Sequence, residues 1–314
     1  NLGSNLARYL LGGPPERNRR AGPYELRLLI HRKNLPSDLS TVPNVSVRRA
    51  DLANPRTLSE PCRDIDCIVH FAGVLFAPRP EKFLPTTNLG YVRNIVSVAL
   101  EVGVRKFILI SFPHVEGESS PEKPARGLLD GNPTSVHAKT RLAAEKYLFN
   151  ACKGTDMIPV SLRAGMIYGR GILMVEAARW LLRHHLLAVW REPTWNHLLA
   201  LPDFLTCVKS VIEGERISGI YNVADDQPIT LQEFLDTVAA HWGFRRPWRC
   251  PRWSFHVTGW CCEAFATIFG TVSPLTRDFI KIGMTSCVAD TSRMKRELLP
   301  MLAYPRLKDG LALL

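Results

Sequence analysis

No uncharged apolar run in this sequence is long enough to span a bilayer, so no hydrophobic spanning helix is expected. Its eight cysteines lack metal-ligand spacing. Cys261 and Cys262 are adjacent, and Cys62 and Cys67 straddle a loop-to-strand boundary, so neither a zinc site nor a disulfide framework is expected. Reduced thiols are the default in the cytosol, and no signal-peptide core follows Asn1, so the expected location is cytoplasmic. Acids are scarce beside bases, 29 Asp and Glu against 40 Lys and Arg, for a net charge of +11. A basic balance suits nucleic acid, anionic membrane or phosphorylated ligands. Here the excess is scattered arginine with one dense cluster at Arg17, Arg19 and Arg20, so nucleic acid is not an expected partner. No internal repeat is visible.

Present instead are 314 residues, 46% of them apolar, enough to bury a large core. Short apolar runs rich in β-formers occur at 26–30, 45–47, 67–71, 107–111 and 160–163, and helical patterns lie at 4–11, 87–102 and 137–150. This alternation predicts an α/β fold, a Rossmann-like doubly wound parallel sheet with helices on both faces. After residue 168 the pattern changes to helical stretches at 173–184, 231–242 and 260–268 among Pro- and Trp-rich loops. The expected division is a dinucleotide-binding domain over 1–167, with a return strand at 219–223, and a smaller, mainly substrate-binding part over 168–314.

The segment Pro133-Thr-Ser-Val-His-Ala-Lys-Thr-Arg-Leu-Ala-Ala-Glu145 resembles the catalytic helix of the extended short-chain dehydrogenase/reductase family, the NAD-dependent epimerase/dehydratase group, which runs Pro-x-x-x-Tyr-x-x-Ser-Lys-x-x-Ala-Glu. His137 stands at the tyrosine position and Arg141 at the lysine position. Further segments resemble the same family in order. Leu2, Gly3 and Asn5 resemble the tail of its glycine-rich phosphate loop, whose helix aims its N-terminus at the cofactor pyrophosphate. The earlier glycines and their strand are not in the sequence, so a strand is expected ahead of Asn1 and the chain reads as a piece of a longer protein. Asp51 and Leu52, then His70-Phe-Ala-Gly73, resemble turns that meet the adenine and lie along the cofactor, which assigns Phe71, Ala72 and Gly73 to binding. Asn88-Leu-Gly90 resembles the signature opening the next helix, and Leu162-Arg-Ala-Gly-Met-Ile-Tyr-Gly169 the turn beside the nicotinamide, which adds Asn88, Ala164 and Met166.

The strand at 26–30 runs into His31, Arg32 and Lys33, with no acid for the ribose hydroxyls of NAD. Two cations there suit a 2′-phosphate, so NADP is expected ahead of NAD. Solvated strand-end charges are the plainer reading of the same residues.

In the resembled family a Ser or Thr, the Tyr and the Lys form a triad. Counting back from Val115-Glu-Gly117, the hydroxyl position falls on Phe112, with Ser111 before it. All three positions therefore differ. Tyr304-Pro-Arg-Leu-Lys308 has the triad spacing, but its proline does not suit a helix interior. Two readings follow. In one, the site is catalytic with His137 as acid/base, Arg141 on the ribose hydroxyls, and Ser111, His114 and Glu116 assisting. The substrate would be an NDP-sugar, a sterol-like alcohol or another carbonyl compound. In the other, the protein is a non-catalytic NADP(H)-binding sensor or interaction partner. The resemblance also implies a homodimer paired through the helices near 87–102 and 137–150. Trp248, Trp253, Phe255 and Trp260, interleaved with Arg246, Arg249 and Arg252, can dock a membrane interface through 248–270 or can line a core.

Overall fold

The sequence Lys-Phe-Ile-Leu-Ile-Ser predicts a strand buried on both faces, and in the computed structural model all six residues of that strand are buried. The structure describes residues 2–12, 24–32, 35–73, 80–271, 273 and 275–314. Lys33 and the arginine cluster at 17–20 lie outside them. The helices are α1 (Leu2–Leu10), α2 (Tyr91–Glu101), α3 (Val136–Ala151), α4 (Leu173–Arg183), α5 (Leu201–Glu213), α6 (Leu231–His241), α7 (Arg252–Phe269) and α8 (Arg277–Met284). The main strands are β1 (Leu26–Ile30), β2 (Val45–Arg49), β3 (Cys67–His70), β4 (Lys106–Ser111), β5 (Ile158–Ala164) and β6 (Gly219–Val223).

β4 pairs in parallel with β3 and β5, and β6 pairs in parallel with β5, giving the order β6-β5-β4-β3. β1 and β2 form a second parallel ladder, Leu26 opposite Val45. Among the described residues no ladder joins β1 to β3, yet Leu26, Cys67 and Val69 belong to one apolar cluster with Leu6, Leu10, Ile108 and Val160. The period-2 alternation of β4 divides the layers. Ile108 and Ile110 face α1 and α5, through Leu6, Leu10, Phe204 and Val208. Phe107 and Leu109 face α2 and α3, through Val92, Ile95, Ala144 and Leu148. Truncating Phe107 to Ala would cost about 3–5 kcal/mol. A third cluster, built on Tyr168, Val175, Leu182, Phe234 and Val238, forms the core of the C-terminal part.

Lys106 is the exception in an apolar strand. Its buried Nζ donates to the Val211 and Gly214 carbonyls at 2.8 and 2.6 Å, which caps the C-terminus of α5. A cation at that end also meets the negative pole of the helix. Burial lowers its pKa.

Two elements depart from the sequence expectation. The helix expected at 87–102 begins as a π-helical turn, Pro85–Gly90, before α2. Such turns are rare and concentrate at functional sites. The helix expected at 260–268 starts eight residues earlier, behind Pro251, and ends at Gly270 with φ 64°. A proline before a helix and a left-handed glycine after it are the ordinary stop signals. The outward positions of α2 and α3 include Arg93, Ser97, Glu101, Lys139 and Lys146, a polar face.

Candidate active site

The site lies where α3 begins, beside the carboxyl ends of β3 and β4. Four amides of a helix start need acceptors. Ser135 accepts from Ala138 N at 3.1 Å, and Asp278 of α8 accepts from Val136 N and His137 N at 2.7 and 3.1 Å. These contacts fix the first turn and with it His137, which is buried. Asn88 in the π turn reaches across, its Nδ2 lying 3.2 Å from His137 Nδ1 and 3.2 Å from Thr140 Oγ1. The Phe112 ring lies between two histidines, 5.1 Å from His137 and 5.4 Å from His114. Ser111 Oγ and His114 Nδ1 are buried without a hydrogen-bond partner among the described residues. Burial pushes His114 down to about 4, so its ring is neutral at pH 7.

One turn along α3, the buried Arg141 guanidinium donates from both Nη atoms to the Ala72 carbonyl, at 3.4 and 3.3 Å, while its Nε has no partner among the described residues. Burial lowers its pKa to about 10, against the attraction of Glu145. Gly73 makes this placement possible, because a Cβ there would stand 2.3 Å from Arg141 Nη2. The glycine thus clears space for a cation of the chain. Beside it His70 is pushed down to about 3, by burial first and by Arg141 second.

Glu116 is held within the chain. Its carboxylate accepts from the amides of Arg126, Gly127 and Leu128 at 2.9, 2.6 and 3.1 Å, and from Arg163 Nη1. Arg163 in turn donates from Nη2 to Glu145 at 2.6 Å and to the Leu128 carbonyl at 2.8 Å, and Ser161 Oγ donates to Glu145 at 3.0 Å. Both Glu116 oxygens thus accept hydrogen bonds that hold loop 126–128.

Of the remaining expected residues, His31, Arg32, Asp51, Leu52 and Phe71 follow the carboxyl ends of β1, β2 and β3. Leu2, Gly3 and Asn5 occupy the first turn of α1, half-buried. His31 and Asp51 meet across the ends of β1 and β2 at 3.7 Å, and Asp51 Oδ1 accepts from Ala53 N at 2.9 Å. Arg32 is exposed. The Leu52 carbonyl accepts from Asn94 Nδ2 at 2.8 Å. Phe71 sits edge-on to Phe204, Ala164 closes β5, and Met166 N donates to the His197 carbonyl at 2.7 Å. Sequence reasoning missed Asp278, because nothing in its neighbourhood announces a cap for a helix begun 142 residues earlier.

A model of the NAD dependent epimerase/dehydratase family matches residues 2–205. The chain belongs to that family. Among curated proteins it is 22% identical over 220 residues to the UDP-glucose 4-epimerase of Vibrio cholerae, covering 67% of this chain and 65% of that protein. It is 20% identical over 237 residues to a 3-beta-hydroxysteroid dehydrogenase of Mycolicibacterium neoaurum, covering 68% and 63%. The chain therefore spans just under two thirds of the length of these relatives. The fold matches the UDP-glucuronic acid 4-epimerase of Bacillus cereus in complex with NAD, at TM-score 0.74 and 18% identity over 100% of this chain and 93% of that one. It also matches WbmG of Bordetella bronchiseptica in complex with NAD, at TM-score 0.71 and 20% identity over 99% and 88%.

In this epimerase/dehydratase family member the residues present fit a dinucleotide. Open α/β sheets bind ligands outside the carboxyl ends of their strands. At the ends of β3 and β4 and on α3, His70 Nε2, Ser111 Oγ and Arg141 Nε are buried without partners among the described residues, a state that a polar ligand relieves. Among the described residues no His, Cys, Asp and Glu group could hold a metal ion, and no helix is long and apolar enough to cross a membrane.

Proposed function

We propose that this protein is an NAD(P)-dependent oxidoreductase or epimerase with an altered active site, in which His137 and Arg141 do the work that the resembled family gives to tyrosine and lysine. The bound cofactor supplies or removes hydride at a secondary alcohol or carbonyl carbon. His137 serves the substrate oxygen, and Arg141 holds the ribose hydroxyls under a fixed positive charge. The observation that carries this reading is the burial of both polar side chains on the first turns of α3, each held from a distant element: His137 by Asn88, and Arg141 by the Ala72 carbonyl. Surface drift does not bury a cation and an imidazole side by side at such cost. The substrate class is an NDP-sugar, a sterol-like alcohol or a related carbonyl compound, in line with what the curated relatives are named for. The test is fluorescence titration with NADPH and NADH, followed by turnover of a carbonyl, NDP-sugar and sterol panel by wild type and His137→Ala. Equal turnover by the two would remove His137 from the mechanism. Absence of cofactor binding would remove the whole reading.

A specific observation favours a second reading, a cofactor-binding protein without turnover. The Phe112 ring lies 5.1 Å from His137, bulk where the resembled family has a hydroxyl. Phe112→Ser separates the two readings, since added turnover on that change marks a blocked site.

For the cofactor, the exposed Arg32 at the end of β1 supports NADP over NAD. For partners, α7 supports docking on an anionic lipid surface. Its inner face buries Gly259, Glu263 and Ala266, while Trp253, Trp260 and Ile268 outside that face are 67, 59 and 75% exposed. Val257, Phe265 and Phe269 extend this exposed set, and Trp248 stands exposed just ahead of the helix. An 18-residue helix of this kind, about 27 Å long, lies in the plane of an interface with tryptophans at headgroup depth. The net charge of +11 complements anionic headgroups. Flotation with phosphatidylserine vesicles should carry the protein up, and the double change Trp253→Ala, Trp260→Ala should leave it behind. Self-association in place of flotation would assign the face to a second copy.

A further inference from the structure

Four polar contacts around His137 fix where its proton sits. Thr140 Oγ1 lies 3.0 Å from the Val136 carbonyl and 3.0 Å from the His137 carbonyl. A hydroxyl has one proton, and within the helix it goes to one of these two oxygens. The Thr140 oxygen therefore offers Asn88 a lone pair at 3.2 Å, and Asn88 must answer with an N–H. The same Asn88 nitrogen is 3.2 Å from His137 Nδ1. An amide nitrogen has two protons and nothing to accept with, so Nδ1 is the acceptor. The orientation of the amide agrees with the local charge. Asn88 Oδ1 and Arg141 Nη2 lie 3.5 and 2.3 Å from the point where a Cβ on Gly73 would stand, so the negative end of the amide is on the side of the guanidinium.

We infer that Asn88 is a positioning residue that holds His137 as the neutral tautomer protonated on Nε2, and that His137 acts as a fixed hydrogen-bond donor to the substrate oxygen. This rests on the reading of His137 given above and sharpens it. An imidazolium would turn an Nδ1–H against the Asn88 N–H, so the amide disfavours the charged ring. Among the described residues, the other groups near His137 include His114 across the Phe112 ring, Arg141 one turn on, and the Asp278 carboxylate at the His137 backbone amide. Of these only Asp278 favours a charged ring. With Nδ1 occupied and Nε2 protonated, His137 has no lone pair for general-base work. Its contribution is to stabilise negative charge on the substrate oxygen, and water gives the proton in a reduction and takes it up in an oxidation.

The tautomer is read directly by nitrogen NMR of the full chain labelled with 15N-histidine, with the His137 signal identified by its loss in His137→Gln. The expected signature at neutral pH is a pyrrole-type Nε2 and a pyridine-type Nδ1. Asn88→Asp places an acceptor opposite Nδ1 and should move the proton to that nitrogen. Should Asn88→Asp fail to fold, the wild-type signature alone decides. An Nδ1-protonated ring or an imidazolium in wild type at neutral pH would overturn the inference. The measurement needs neither cofactor nor substrate. A correct tautomer in a protein that turns nothing over would therefore sink the catalytic reading and leave the role of Asn88 standing.

Discussion

α3 and α7 depart from the usual amphipathic pattern in opposite directions. α3 buries His137, Thr140, Arg141 and Glu145, and α7 exposes Trp253, Val257, Trp260, Phe265, Ile268 and Phe269. In α3 each buried polar group is answered from elsewhere in the fold: Asn88 for His137 and Thr140, the Ala72 carbonyl for Arg141, Arg163 and Ser161 for Glu145. In α7 each of these apolar side chains stands more than half exposed among the described residues. A local rule broken with compensation marks a site built inward, and the exposed apolar side chains of α7 are the ones the proposed lipid docking uses. α8 touches both helices through consecutive residues. Arg277 donates to Glu263 of α7 at 2.7 Å, and Asp278 caps α3. The Gly259 contact seats α7 closely, since a Cβ there would stand 2.6 Å from Ile280 of α8.

If α3 is compensated as described, removing a compensating partner should be costly. Arg163→Met would strand two carboxylates, Glu145 and Glu116, and should cost about 3–5 kcal/mol in denaturant unfolding. A loss below 1 kcal/mol would mean that the network is solvated. His137→Ala should lower turnover about 10²–10³-fold with cofactor affinity retained, the range for losing one donor to a developing oxyanion. Comparing the cofactor titrations of wild type and variant checks the second half of that statement.

Acid should strike the same inner region. His70, His114 and His197 have folded pKa values of about 3, 4 and 4, below the ordinary value near 6.5, chiefly from burial. The unfolded chain binds protons first, so the stability these groups confer is full above about pH 6.5 and is lost as pH falls toward 4. Asp225 runs the other way. Burial raises it to about 8, so its contribution declines as pH rises from about 4 to 8. Thermal melts between pH 4 and 8 should therefore rise and then sag, and a flat profile would contradict the assigned burial.

Smaller effects test the outer surfaces. Arg32→Ala should weaken NADPH about tenfold and leave NADH unchanged, as the loss of one charge-assisted contact predicts. Equal weakening of both would return Arg32 to an ordinary solvated charge. Trp253→Ala with Trp260→Ala should change stability by about 0.5 kcal/mol or less, since neither ring is buried. A larger loss would show that α7 is covered by this chain after all.

Much of the fold is legible in the sequence because its strands are continuous apolar runs and its helices carry their stop signals. β1 and β6 fall where the pattern predicts, while α7 begins eight residues ahead of the expected helix. The candidate site is legible to the level of position. His137 and Arg141 stand on one helix because their spacing of four residues is helical. The roles of Glu116 and Asn88 were not legible, because each depends on partners far off in the sequence. Glu116 is claimed by Arg163 and loop 126–128, and Asn88 faces α3 from a π turn that no propensity rule predicts.

The account turns on whether α3 carries chemistry. Oxidation of NADPH, followed with wild type and His137→Ala side by side against the carbonyl panel, tests this most directly. The account predicts turnover of at least one carbonyl by wild type and a rate about 10²-fold or more lower in the variant. Equal rates in the two proteins would contradict it.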